Sequence, residues 1–291
     1  MTPEVPRSAI GRGFRRYIAK IPRGALVNTL CIAVIGAVVI CAILGEVIAP
    51  YDPRAQDPLR GVSPPGDGHL LGTDVLGRDV LSLLIAGARS AVVGPVVVAL
   101  GCGLIGGLLG LLGAYYGGTL DAAVNRLADL IYALPSIIVA IVVVGVMDGG
   151  YWSVAAVLTF LSLAYQIRII RSVTMAQMSL PYVEAAKTSG LSDTRTILAH
   201  ILPNIVPTVL ATLLLDFVTA MIGYAALAFL GIGIPPGAPN WGAMIATGQT
   251  YIFINPWLSV APAILLILTA TCVTLLGDQL HEAAGRKAAI R

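Results

Sequence analysis

The sequence predicts an all-α protein that crosses a membrane six times, and two observations support this prediction. Hydrophobic residues make up 57% of the 291-residue chain and charged residues only 11%, and the mean hydropathy is +0.88. Soluble domains carry about 25% charged residues, so the bilayer is the natural solvent of this chain. Six stretches also reach the roughly 20 apolar residues that a membrane-spanning helix requires.

The six predicted spans divide the chain into a core and its flanking segments. The spans cover residues 25–49, 91–115, 127–147, 152–170, 205–231 and 258–276. The remaining divisions are a basic leader over 1–24, an outer segment over 50–90, a five-helix core over 91–277 with an inner loop at 172–203, and a tail over 278–291.

The distribution of basic residues predicts the orientation of these spans. Lysine and arginine concentrate on the cytoplasmic side of membrane proteins. With the N-terminus inside, fourteen of the eighteen basic residues fall on the inner side. All three tryptophans then fall at the outer interface, where indole rings prefer to lie. We therefore expect both termini to be cytoplasmic.

Enzyme motifs are matched only in part. The pattern Gly101-Cys-Gly103-Leu-Ile-Gly106 fits G-x-G-x-x-G, but it lies inside a predicted span, where small residues favour close helix packing. His281-Glu282 begins a zinc-protease motif whose second histidine is missing. The four cysteines lie within spans and lack metal-ligand spacing. We therefore expect no covalent chemistry, no metal and no bound cofactor in this chain.

A polar segment interrupts the apolar pattern on the inner side, between the fourth and fifth spans. It reads EAAKTSGLSDTRTILAHILPN over residues 184–204. Gly190 suits the left-handed residue that ends a helix, and Ser192 suits an N-cap. The segment therefore predicts two short helices that meet at a sharp angle. A rigid element joined to two spans is suited to transmit force.

These residues resemble the "EAA" loop of the permease subunits of bacterial ABC importers. The match runs from Glu184-Ala185-Ala186 through Gly190 to Leu202-Pro203. In that family the loop docks on a cytoplasmic ATPase and couples ATP hydrolysis to the spans. The resemblance therefore implies the type I importer fold, with a cytoplasmic coupling helix-turn-helix at these residues.

A second motif on the outer side narrows the resemblance. The run from His69 to Ser82 is similar to the H-x-L-G-T-D-x-x-G-R-D-V-x-S signature of dipeptide, oligopeptide and nickel permeases, and in particular of their C-type subunit. Its matched residues are Gly72, Thr73, Asp74, Gly77, Arg78 and Asp79. From the sequence alone, this segment is either a docking surface for a binding protein or a cap over the spans.

The resemblance also implies partners and a cargo. A homologous second permease, two ATPase subunits or domains that use ATP and Mg²⁺, and an extracytoplasmic substrate-binding protein are expected, and nucleic acid is not. Peptides would cross the cytoplasmic membrane between the two permeases by alternating access. A nickel chelate or another small solute is the alternative cargo. A membrane-embedded enzyme or a passive channel would be a different class of protein, and neither accounts for the coupling motif.

Four further residues in or near the spans are singled out. Many relatives carry glutamate where this chain has Tyr224, so Tyr224 is a candidate to face the pathway or the partner. Asp216 lies in mid-span, where a carboxylate is costly and usually functional. It either lines the substrate route or pairs with the partner permease. Arg126 and Asp129, three residues apart, are expected to form an ion pair.

Overall fold

A computed structural model describes residues 23–147 and 149–289, and within these ranges the chain is all-α apart from two isolated β-bridges. The helices are α1 (Arg23–Ile48), α2 (Val80–Tyr116), α3 (Gly118–Tyr132), α4 (Ser136–Val146), α5 (Tyr151–Met178), α6 (Pro181–Thr188), α7 (Asp193–Thr196), α8 (Leu202–Phe229), α9 (Trp241–Thr250) and α10 (Trp257–Ala289). One π-helical turn, Ile197–Ile201, connects α7 to α8.

The predicted all-α membrane fold is confirmed, but its third span is not one straight helix. Five described helical stretches are long and apolar enough to cross a bilayer, and α3 with α4 gives a sixth as a pair bent by 84°. The prediction of a continuous helix over 127–147 was wrong. Pro135 disfavours a helical conformation at Leu134 and supplies no backbone N–H, so the chain turns there.

Two further boundaries differ from the sequence prediction. α2 begins at Val80 rather than at 91, because the side chain of Asp79 caps its first turn. The outer segment is therefore shorter than predicted. The helix α9 was not predicted, and its N-cap is Asn240, whose side chain accepts hydrogen bonds from the N–H groups of Gly242 and Ala243.

The centre of the bundle is α2, and its glycines allow the other helices to approach closely. A Cβ at Gly110 would lie 2.6 Å from the carbonyl oxygen of Ile167 on α5. A Cβ at Gly103 would lie 2.2 Å from a methyl carbon of Leu213 on α8. The glycines near the middle of α2 therefore serve helix packing, as their position inside a span predicted.

Only two of the three tryptophans have the exposure expected of interface residues. Trp152 and Trp257 are 62% and 41% exposed, whereas Trp241 is 2% exposed. The indole N–H of Trp241 donates to the carbonyl oxygen of Leu84 at 2.9 Å, which satisfies its polar atom inside the core. Trp241 is buried because α9 packs its first residue against α2.

The inner ends of the spans are joined by ion pairs that differ from the one expected. Asp129 pairs with Arg168 of α5 at 2.7 Å rather than with Arg126 on its own helix. Asp121 accepts two hydrogen bonds from Arg171, at 2.6 and 2.7 Å. Both pairs link α3 to α5, so they hold the first part of the broken span against its neighbour.

The orientation can be tested with one cysteine on each side of the membrane. Leu59 is fully exposed in the outer segment, and Thr194 is exposed in α7. In a background without the native cysteines, we expect an impermeant thiol reagent added to intact cells to label Leu59→Cys but not Thr194→Cys. Permeabilised cells provide the control, since both positions should then react. Labelling of Thr194→Cys in intact cells would contradict the orientation.

The predicted leader over 1–24 lies almost entirely outside the described residues, which begin at Arg23. The predicted tail over 278–291 is mostly helical, because α10 continues to Ala289.

Candidate functional site

The inner helix-turn-helix, residues 181–201, packs on the inner ends of three spans. Three of its buried apolar side chains are those of Val183, Ile197 and Ile201, which are 0%, 7% and 0% exposed. They form one cluster with Leu111 and Tyr115 of α2, Ile170 of α5 and Ile205 of α8. The element is therefore in direct packing contact with α2, α5 and α8.

Tyr115, at the inner end of α2, contacts both limbs of the helix-turn-helix. Its hydroxyl donates to the carboxylate of Asp193 at 2.7 Å. The ammonium group of Lys187 lies 4.8 Å from the centre of the Tyr115 ring, a distance suited to a cation–π contact. Tyr115 was not predicted from the sequence, because only the fold brings residue 115 to residues 187 and 193.

The turn between the two limbs has the local geometry that the sequence predicts. Gly190 has φ +75°, in the left-handed region. The N–H of Gly190 donates to the carbonyl of Lys187, and that of Leu191 donates to the carbonyl of Ala186. This pair of hydrogen bonds is the Schellman motif. The side chain of Ser192 then accepts from the N–H of Arg195 at 3.4 Å, as predicted for an N-cap.

The residues of the EAA match divide between an exposed surface and the packed side of the element. Glu184 and Ala185 are exposed on α6, whereas Ala186 is 6% exposed and faces the spans. Leu202 is half-buried and Pro203 is exposed at the start of α8. Glu184 and Ala185 are therefore accessible at the surface of the chain.

A hydrogen-bonded link that the sequence analysis missed joins the start of α6 to the start of α8. The side-chain amide of Asn204 donates to the hydroxyl of Tyr182 at 3.1 Å, and that hydroxyl donates to Gln177 at 2.6 Å. These hydrogen bonds hold the beginning of the helix-turn-helix next to the helix that follows it.

The outer signature, residues 69–82, ends in the first turn of α2, which Asp79 caps. One carboxylate oxygen of Asp79 accepts from the N–H and the hydroxyl of Ser82 at 2.8 and 2.7 Å. The other oxygen lies 2.9 Å from Nδ1 of His69. Asp79 is 4% exposed, so its hydrogen bonds lie largely inside the protein.

Asp74 and Arg78 fasten the same segment to the connection between α8 and α9. The carboxylate of Asp74 accepts from Nε of Arg78 at 2.8 Å and lies 2.6 Å from Nη2. Nη1 of Arg78 donates to the carbonyl oxygen of Gly237 at 2.6 Å. This pair therefore connects segments that are far apart in the sequence.

Thr73 and Asn255 add further hydrogen bonds to the same segment. We use the name outer knot for residues 57–82 together with Gly237 and Asn255, which are joined by hydrogen bonds and do not form a topological knot. The hydroxyl of Thr73 donates to the carbonyl of Gly61 at 2.7 Å, and Asn255 donates to the carbonyl of Leu71 at 2.9 Å. Gly72 and Gly77 supply its two tight turns, with φ +74° and +73°. The knot holds the outer ends of α2 and α10 together.

Asp216 lies on α8 beside a cavity of about 640 Å³ between α4, α5 and α8. The residue is 4% exposed, and its carboxylate accepts a hydrogen bond from the thiol of Cys102 at 3.2 Å. Within the described residues, no group of three histidine, cysteine, aspartate or glutamate side chains is arranged to hold a metal ion.

Tyr224 is placed inside the chain's own core. It is 3% exposed, and its hydroxyl donates to the carbonyl oxygen of Tyr151 at 3.1 Å. Its neighbours in the apolar cluster include Val98 and Val154. Its surroundings are therefore packing contacts, in contrast to those of Asp216, which borders open space.

Comparison with known sequences gives a consistent set of relatives. The family described as "Binding-protein-dependent transport system inner membrane component" matches residues 104–286. A di/tripeptide transport system permease of Pseudomonas aeruginosa is 34% identical over 91% of this chain and 88% of its own. A dipeptide transport permease of Haemophilus influenzae is 32% identical over 93% of each chain. A glutathione transport permease of Escherichia coli is 32% identical over 98% of this chain and 94% of its own.

Solved structures share the fold at lower sequence identity. A chain of the inward-facing MetNI methionine ABC transporter aligns with a TM-score of 0.54 and 19% identity, over 69% of this chain and 96% of its own. A chain of an amino acid ABC transporter aligns with a TM-score of 0.51 and 17% identity, over 69% of this chain and 94% of its own.

Proposed function

Because the chain belongs to the family of binding-protein-dependent transport system inner membrane components, we propose that it is the permease subunit of an ATP-driven peptide importer. Relatives named for di/tripeptide, dipeptide and glutathione transport support peptides as its cargo. The cargo crosses the membrane by alternating access, between this chain and a second, homologous permease.

The observation on which the mechanism rests is the packing of the helix-turn-helix against α2, α5 and α8. In the proposal, the exposed residues Glu184 and Ala185 meet a cytoplasmic ATPase. Ala186, Leu202 and Pro203 transmit its movement to the spans. The turn at Gly190 keeps the two limbs at a fixed angle, so displacement of α6 moves three spans together rather than bending the element.

The remaining functions of the transport complex belong to partner proteins. ATP and Mg²⁺ act on two ATPase subunits or domains, and no cofactor is assigned to this chain. A substrate-binding protein delivers the peptide from the outer side, where the outer knot offers a rigid surface. Both termini are cytoplasmic in this arrangement.

The proposal is tested by expressing the chain with its native partners in cells that lack other peptide importers. We expect ATP-dependent uptake of labelled di- and tripeptides, with glutathione and a nickel chelate included in the panel. Ala185→Arg places a charged side chain on the exposed side of α6, and we expect it to lower uptake by about tenfold or more. It should also weaken co-purification of the ATPase.

The matched control is Ala123→Arg, because Ala123 is also exposed on the inner side but belongs to α3. Uptake by this control should stay within about twofold of the wild type. Uptake of the nickel chelate alone would contradict the proposal that peptides are the cargo. Purification of an active complex without an ATPase would contradict the proposal that the chain belongs to an ATP-driven importer.

A further inference from the structure

We infer that Asp216 is the binding group for the ammonium end of the cargo, in a water-filled cavity formed by α4, α5 and α8. This inference rests on the proposed function, and it adds a site and a chemical class of ligand. Substrates with a free primary ammonium group would be recognised by this carboxylate as they pass the middle of the membrane.

The burial of Asp216 shows that its carboxylate is held by the protein rather than by bulk water. The residue is 4% exposed, and it lies in the middle of a 28-residue helix whose other residues are mostly apolar. The thiol of Cys102, at 3.2 Å, donates a hydrogen bond to it, and a thiol is a weak donor. A single weak donor leaves most of the acceptor capacity of a carboxylate unused.

A counter-ion for Asp216 is missing from the described residues. Each of the ion pairs formed there involves other acids, and none includes Asp216. A carboxylate in the membrane interior is strongly disfavoured unless a cation, water or hydrogen-bond donors approach it. Water in the cavity meets that requirement between transport events, and a cationic ligand meets it during them.

The wall of the cavity carries several polar groups beside Asp216, which favour contact with water. Ser162 and Tyr165 of α5 and Thr219 of α8 line it together with Asp216, among otherwise apolar side chains. Ser136, the first residue of α4, lines it directly after the break in the third span. Non-helical backbone at membrane depth is tolerated where it is buried in protein or borders a water-filled cavity.

The size of the cavity suits a small peptide. Its volume of about 640 Å³ falls within the range of about 300–1,000 Å³ that is typical of small-molecule sites. An amphipathic lining with one carboxylate favours an ammonium group attached to a short chain with apolar side groups. The same carboxylate repels anionic solutes, so it also selects against cargo that lacks a cationic group.

Pairing with the partner permease is the competing explanation, and the burial of Asp216 argues against it. The carboxylate contacts α2 of its own chain on one side, through Cys102, and borders the cavity on the other. A cationic side chain of the partner would have to cross the cavity to reach it. That arrangement would fill the space that the cargo needs.

The first test measures charge in the cavity without requiring transport. In the assembled complex, and in a background without the native cysteines, Thr219→Cys places one thiol on the cavity wall. We expect a cationic methanethiosulfonate reagent to react faster than an anionic one of similar size. Adding Asp216→Asn should reduce the ratio of the two rates by about tenfold, because the local negative potential is lost. Leu104→Cys, on an exposed apolar part of α2, should react with neither reagent.

The second test measures uptake by complexes that carry Asp216→Asn, Asp216→Glu or Leu104→Ala. We expect Asp216→Asn to lower uptake of peptides with a free amino terminus by about tenfold. Asp216→Glu should keep most of that uptake, and Leu104→Ala, which changes an exposed side chain of α2 outside the cavity, should stay within about twofold. The binding protein and the ATPase are the same throughout, so the differences belong to this chain.

Three results would overturn the inference. They are an unreactive Thr219→Cys, a rate ratio that Asp216→Asn leaves unchanged, and loss of the partner permease from the Asp216→Asn complex. The last result would assign Asp216 to the contact between permeases. Failure of the wild-type complex to take up any peptide would count against the proposed function instead, because the rate ratio does not depend on transport.

Discussion

Substitution of Gly190 by valine is expected to abolish peptide uptake while the chain still inserts and assembles. Gly190 has φ +75°, a conformation that a β-branched residue rarely adopts. A Cβ at this position would meet no atom within 4 Å, so the strain would come from the backbone alone. The left-handed conformation costs a non-glycine residue about 1–2 kcal/mol, enough to change the angle between α6 and α7 without unfolding the spans.

The measurement compares uptake with ATPase activity in the purified complex. We expect Gly190→Val to keep ATP hydrolysis and lose transport, since the ATPase would no longer move the spans. Gly190→Asn is the matched control, because asparagine tolerates the left-handed region, and its uptake should remain close to that of the wild type. Gly231→Val is a second comparison, because it adds comparable backbone strain outside the helix-turn-helix. Gly231 lies at the outer end of α8, where φ is +77° and a Cβ would also meet no atom within 4 Å. Normal uptake by Gly190→Val would show that the conformation of this turn is not needed to couple ATP hydrolysis to transport.

Gly72→Ala is expected to lower the stability of the whole protein. A Cβ at Gly72 would lie 2.2 Å from the carbonyl oxygen of Ser63 and 2.6 Å from the side-chain nitrogen of Asn255. Relief of these contacts requires the outer knot to open, since two of the three clashing atoms, the carbonyl oxygen of Ser63 and the carbonyl carbon of Pro64, are backbone atoms. We expect a loss of about 2–4 kcal/mol in the free energy of unfolding, from overpacking together with backbone strain.

The control for this change is Gly61→Ala in the same outer segment. Gly61 also has positive φ, +58°, but a Cβ there meets no atom within 4 Å. Its cost should be limited to the backbone strain of about 1–2 kcal/mol. The measurement is the temperature at which half of the detergent-purified protein loses its monodisperse state. Equal stability of the two variants would show that the knot is not tightly packed around Gly72.

The architecture follows closely from composition and local chemistry. Apolar stretches of about twenty residues predicted the spans, because a helix must be that long to cross the hydrocarbon core. Gly190 and Ser192 were identified as the turn and the cap, because both roles depend on one residue and its immediate neighbours. In these cases the information that determines the structure lies within a few residues.

Features that depend on contacts between distant segments were not predictable in the same way. The partner of Asp129 is Arg168, on another helix, and helical spacing alone suggested Arg126. Trp241 is buried because α9 packs against α2, which its position near a span end did not reveal. The 84° bend is the exception, since Pro135 is visible in the sequence. Its effect was missed because the surrounding residues are uniformly apolar.

In the candidate site, too, local features were predictable from the sequence and contacts between distant segments were not. The exposed positions of Glu184 and Ala185 agree with a docking surface, and the helix-turn-helix was expected from its polarity. The contact of Tyr115 with Asp193 joins residues that are 78 positions apart, and no local pattern signals it. The cavity beside Asp216 also requires three helices to be in place, so the sequence indicated the carboxylate but not the space that it faces.

The outer knot also sets an order of events during biosynthesis. Its hydrogen bonds join Arg78 to Gly237 and Leu71 to Asn255, separations of 159 and 184 residues. Because a ribosome releases the chain from its N-terminus, α1 and α2 enter the membrane long before their outer fastenings exist. Nascent chains that end before Asn255 therefore carry the segment around Thr73 with its polar groups incompletely paired. Such intermediates should be more sensitive to proteases outside the cytoplasm than the finished chain, and quality control can distinguish the two at this segment.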